Sequence, residues 1–171
     1  MTDADADADA TEQPLLFLDV DGPLLPFGGP EDILPWDCEP DPDPERMRPE
    51  LGEKLTRLPC RLVWATGWRD RANTELAPYI GLPQLPFIDW RQYSLAFEPE
   101  DDRLGLCWKT RAVVQWAAGR PFAWVDDEIT DADLEWVAAN HPAPALVHPI
   151  AEHVGLTDAD FETLDAWFRA L

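Results

Sequence analysis

Lysine is almost missing from this chain of 171 residues: Lys54 and Lys109 stand against eleven arginines. Bases of both kinds number 13 against 34 acids, a formal net charge of −21. Such a charge repels a phosphate backbone, and no basic stripe or cluster interrupts it. Nucleic acid is therefore a disfavoured partner, and so is an anionic membrane surface. Cysteine is sparse too, with Cys38, Cys60 and Cys107 far apart and no C-x-x-C pair. That argues against a zinc site or a disulfide framework. No apolar run approaches membrane-spanning length, and the start "MTDADADADATEQP" has neither a basic nor an apolar region of the secretory kind. A soluble, cytoplasmic protein is the expectation. Nothing in the pattern sets an oligomeric state.

What is present is a globular composition, 46% apolar with nine tryptophans. Residues 1–13 form an Asp-Ala repeat expected to be a disordered acidic tail. Residues 14–171 are of a length for one domain. "EPDPDPERMRP", 39–49, reads as an exposed loop. Short apolar runs alternate with helical patterns. Leu15 to Asp19, "CRLVWA" (60–65), "LPFI" (85–88), "PFAWV" (121–125) and "PALV" (144–147) are the candidate strands. Helices are expected over 49–58, from just after Gly67, over 109–119, and at the end, where Thr157 and Asp160 form a start signal. Phe161, Leu164, Phe168 and Leu171 make the apolar stripe of that last helix. Such alternation predicts an α/β fold: a three-layer, Rossmann-like arrangement with a parallel sheet of about five strands and helices on both faces.

Ligands of such sheets bind beyond the carboxyl ends of the strands. The acids Asp19, Asp21, Asp126 and Asp127 all fall there, and so does Thr66. "LLFLDVDGPLL" puts two carboxylates one residue apart after a buried-looking strand, which costs energy unless a cation or a specific chemistry uses them. Lys109 stands at a helix start, where the dipole disfavours a cation, in a chain that otherwise prefers arginine. Arg69 and Arg71, just beyond Thr66, are candidates for a second anionic group of a substrate. Pairing with surface acids is the competing expectation. His141, His148 and His153 show no metal-binding spacing with these acids.

Four stretches, in order, resemble the motif set of the haloacid dehalogenase-like (HAD) superfamily: "FLDVDGPL", "LVWATGW", Lys109 in "CWKTRAVV", and "FAWVDDE". The resemblance covers roughly residues 14–150, with Pro23 where the family commonly has Thr. It implies a Mg²⁺-dependent phosphatase in which Asp19 attacks phosphorus and Asp21 acts as general acid and base. Mg²⁺ would take Asp19, the main-chain carbonyl of Asp21, and Asp126, with Asp127 as a further ligand or through water. Thr66 and the Gly67 amide would hold phosphoryl oxygens, and Lys109 would offset charge. The intervals 24–60 and 68–108 are too short for a separate cap domain, so a capless, open site is expected unless a partner subunit or the 24–45 loop covers it. The implied partner is a phosphorylated substrate, a small molecule or a phosphoprotein. A non-catalytic binding module and a phosphotransferase to an acceptor other than water are the alternatives.

Overall fold

Period-two burial on both sides of one strand sets the architecture. The computed structural model describes residues 13–28, 46–93 and 97–171. The expected tail, most of the 24–45 loop and part of the 39–49 loop lie outside them. All four residues of β1 (Leu15–Leu18) are fully buried. Leu16 and Leu18 join one apolar cluster, while Leu15 and Phe17 join another on the opposite face. A strand buried on both faces is what a central parallel strand requires.

Three more strands complete the sheet: β2 (Arg61–Trp64), β3 (Phe122–Asp126) and β4 (Ala145–Pro149), in the order β2-β1-β3-β4. All pairings are parallel, with Leu18 beside Trp64 on one side and Val125 on the other. The register brings the ends of β1 and β3 level, so residues 19 and 126 emerge side by side. The expected fifth strand at 85–88 contributes only an isolated parallel bridge, Phe87 to Trp64. Trp64 donates to the Pro86 carbonyl and accepts from Ile88. Pro83 and Pro86 lack the N–H groups that a longer ladder would use.

One face is covered by α1 (Glu50–Arg57), by a π-helical turn at Ala72–Leu76 that runs into α2 (Ala77–Ile80), and by a C-terminal helix. The wide turn precedes Pro78, whose ring would clash with the carbonyl four residues back in a regular helix; Ala77 N–H instead donates to Ala72 O, five residues back. Further along come α3 (Glu98–Leu104), α4 (Thr110–Ala117), α5 (Asp131–Asn140) and the C-terminal helix α6 (Asp158–Arg169). From the last, Phe161, Leu164 and Phe168 are buried as the spacing predicts, whereas Leu171 is exposed. α4 and α5 cover the second face through Ala112, Val113, Ala117 and Val137. Among the described residues, no helix is long and apolar enough to cross a membrane.

Candidate active site

The end of β1 and the end of β3 deliver Asp19 and Asp126 into the same buried space. Both are almost inaccessible, and Lys109, at the start of α4, reaches in to meet them. Its Nζ lies 2.8 Å from Asp19 Oδ2 and 2.8 Å from Asp126 Oδ2. A third acid, the half-exposed Glu128, sits 3.0 Å from the same ammonium. Burial opposes the charge of Lys109, yet Asp19 and Asp126 outweigh it and hold the ammonium above its ordinary range. Burial also pushes the Asp19 and Asp126 carboxyls up, with Lys109 pulling the other way. One ammonium cannot balance this many carboxylates, and the cluster is left short of positive charge.

A divalent cation suits that deficit. Asp19, Asp126 and Glu128 each offer an oxygen, and the three oxygens lie within 4.8 Å of one another. Asp19 Oδ1 is buried and has no hydrogen-bond partner, an expensive state that an oxygen-seeking cation would relieve. Asp126 Oδ1 is held by the Glu128 amide at 3.0 Å, and its Oδ2 also accepts from the Trp124 indole at 3.1 Å.

Asp21 is placed by the loop after β1. Leu24 and Leu25 both donate to the Val20 carbonyl, and Gly22 N–H donates to Leu25 O. Pro23 has no N–H for this turn to miss, and its carbonyl accepts from Leu156. Gly22 has φ +85°, and a side chain there would run into Asp127, 2.5 Å from its Oδ1. Asp127 therefore packs against the β1 loop, and burial lifts its carboxyl to about 6, with Asp19 adding to the shift. Asp21 Oδ2 accepts a 2.9 Å bond from the Trp68 indole. Its pKa is raised, burial outweighing that indole.

Thr66 is fully buried beyond the end of β2, near enough to Asp19 to favour its ionised form. Its carbonyl accepts from the Trp90 indole at 2.8 Å. Gly67 is exposed, with open space where a side chain would be. The family described as "HAD domain in Swiss Army Knife RNA repair proteins" matches residues 15–161. The chain belongs to this HAD family. No curated protein and no solved structure matches it. A HAD domain implies, in general, a hydrolase acting on phosphate esters, and HAD domains generally use Mg²⁺.

Set on this HAD domain, Asp19, Thr66, Lys109 and Asp126 converge at one end of the sheet. Arg71 is turned to its own helix, pairing with Glu75 at 2.8 Å and lying 4.9 Å from the Trp68 ring. Arg69, in a left-handed conformation at φ 51°, lies 3.8 Å from Asp89. Both arginines thus have acidic partners. Three site residues escape the sequence reading. Glu128, rather than Asp127, completes the acid trio, and Trp68 is the partner of Asp21. The third is Asp133, fully buried on α5, which accepts from the Cys107 amide at 2.9 Å and from the Thr110 hydroxyl. Those bonds tie down the turn that carries Lys109. The readable signal was Thr130 three residues before Asp133, a start signal for a helix whose apolar residues show no single face.

Proposed function

We propose that this HAD domain is a Mg²⁺-dependent phosphomonoesterase that works through phosphorylation of Asp19. One observation carries the reading: Lys109 bridges Asp19 and Asp126 at 2.8 Å each, in a buried pocket at the strand ends. Mg²⁺ would be held by Asp19, Asp126 and Glu128, with the Asp21 carbonyl or Asp127 completing its surroundings, and would neutralise charge on the transferring group. An Asp19 carboxylate oxygen forms a bond to phosphorus as the ester oxygen leaves, and Asp21 gives that oxygen a proton. Asp21 then takes a proton from water, whose oxygen bonds to phosphorus and releases Asp19 and inorganic phosphate. Splitting the displacement in this way lowers each barrier. Acid–base help of this kind contributes about 10² to 10⁴ in rate. The Trp68 indole orients Asp21, and Thr66 with the Gly67 amide receives phosphoryl oxygens. Lys109 favours the ionised form of Asp19 against the cost of burial and stabilises charge that builds up in the transition state.

The family's association with RNA repair adds phosphorylated RNA ends to the candidate substrates. Net charge works against a long polyanion, but 12 of the 34 acids, and no base, fall in residues 1–12 and 29–45. The described residues carry the remaining 22 acids against 13 bases, −9 of the formal −21. A phosphate-release assay with Mg²⁺ over aryl phosphate, sugar phosphates, nucleotides, phosphopeptides and 5′- or 3′-phosphorylated oligoribonucleotides tests the reading. Turnover is expected in the wild type, none in Asp19→Asn, and a loss of about 10² to 10⁴ in Asp21→Asn. Absence of turnover across that panel would sink it. Phosphate appearing on an added alcohol instead of water would favour a transferase.

A further inference from the structure

Beside the phosphate pocket lies a cavity of about 400 Å³, a size that holds a nucleoside. Five aromatic rings line it: Trp90, Tyr93, Phe97, Trp108 and Trp136. Trp90 and Trp108 are also tied to the site. Trp90 donates to the Thr66 carbonyl, and Trp108 donates to Glu128 at 3.2 Å. Their rings meet edge to face, 4.8 Å between centroids. Lys109 Nζ stands 5.4 Å from the centre of the Trp108 ring while bonding to Asp19, which puts that ring within a nucleoside's reach of the nucleophile. Trp108 is nonetheless 53% exposed and Phe97 49% exposed. Large aromatic faces left to water next to a reaction centre are a ready stacking platform.

Charge decides what stacks there. The single base in the described lining, Arg111, is paired with Asp101 at 2.6 Å and Glu100 at 2.8 Å, and it lies over Phe97 and Trp136. No cation in the described lining is left for a second phosphate. Glu98 and Asp102, both exposed, add carboxylate acceptors to the lining. The cavity therefore suits a flat, uncharged ring that carries N–H donors and repels further phosphates. We infer that it receives the nucleobase of a substrate whose single phosphomonoester sits at Asp19, an inference that rests on the phosphatase reading for the position of the phosphate.

Calorimetric titration of the full-length Asp19→Asn protein with Mg²⁺ tests this, using adenosine monophosphate, ribose 5-phosphate and phenyl phosphate. Adenosine monophosphate is expected to bind about tenfold or more tightly than either comparator, the scale of one base–aromatic stack. In the Asp19→Asn background, adding Trp108→Ala should erase most of that preference, and Trp108→Phe should keep most of it. Phe97→Ala, at the second exposed ring, should reduce it in a folded protein if Trp108→Ala proves unstable. Equal affinities, no binding of the nucleotide, or a preference indifferent to both alanine variants would overturn the inference. Phenyl phosphate binding as well as the nucleotide would overturn the nucleobase assignment. Because the titration needs no turnover, a retained preference with inactive wild type would sink the phosphatase reading alone. Turnover with equal affinities would sink the cavity assignment alone.

Discussion

Among the described residues the tetrapeptide Thr-Asp-Ala-Asp occurs twice, at 130–133 and 157–160, and starts a helix both times. Locally the two are the same device: the threonine side chain accepts from the fourth residue's amide, and that residue's carboxylate accepts from the threonine amide. Their surroundings differ. Asp160 is part-exposed and its remaining oxygen meets His148 at 2.8 Å. Asp133 is fully buried and its remaining oxygen takes the Cys107 amide and the Thr110 hydroxyl, on either side of Lys109 in sequence. One copy closes a helix end; the other also positions the ammonium of the site. A local motif thus says where a helix begins and nothing of what else its carboxylate will hold.

Replacing Asp133 should break the comparison most sharply. Asp133→Ala leaves the Cys107 amide and Thr110 hydroxyl buried without partners, at about 1–3 kcal/mol each, so unfolding in denaturant should show a loss of about 3 kcal/mol. Phosphate release should fall at least about tenfold through kcat, with KM little changed, as expected when a supporting group shifts the Lys109 ammonium. Asp133→Asn, which keeps one acceptor, should recover part of both. Asp160→Ala should cost only about 1 kcal/mol, an ordinary cap loss, with kcat unaltered. Equal effects at the two positions would dissolve the distinction.

Proton linkage should separate the site from the second cap by sign. Asp127 has its pKa lifted to about 6 by burial, above its unfolded value near 3.8, so the folded state holds protons that the unfolded state releases. That contribution is fully present below the unfolded value and is lost as pH rises through about 6. Discounted for solvent screening it amounts to about 1 kcal/mol, or roughly 3 °C in Tm between pH 7.5 and 5 without divalent ions. Asp127→Asn should flatten that slope, and Mg²⁺ should stabilise more at pH 7.5 than at 5. Asp160 runs the other way. Burial opposes its charge, but Thr157 and His148 outweigh it and hold its pKa below the ordinary value. Its stabilisation is present above the unfolded value and is lost in acid, as pH falls through the lowered one. The smallest effect is expected at Trp68→Phe: stability within about 0.5 kcal/mol, and a pH–rate limb displaced upward because Asp21 loses a donor that favours its charge.

Much of the scaffold was legible because buried strands announce themselves: the runs Leu15 to Asp19, 60–65, 121–125 and 144–147 hold the four strands of the sheet to within two residues at each end. The segment at 85–88 had the composition of a strand, but Pro86 within it and Pro83 just before it prevent a ladder. α3 and α5 were hard to read, since α3 buries nothing and α5 shows no single apolar face. Their start signals, Pro99 with early acids in one and Thr130 with Asp133 in the other, were the readable trace.

The order of residue types along the chain settled by itself that acids stand at two strand ends and that a rare lysine opens a helix. Alternation along a buried strand leaves little choice about where its last residue points. Past that last residue the alternation stops, and only the folded chain decided that Glu128 joins the acid trio while Asp127 packs on Gly22. The links from Trp68 to Asp21 and from Asp133 to the Lys109 turn span 47 and 26 residues. No local pattern encodes partners at such separations; packing of the layers brings them together, and burial makes their hydrogen bonds matter.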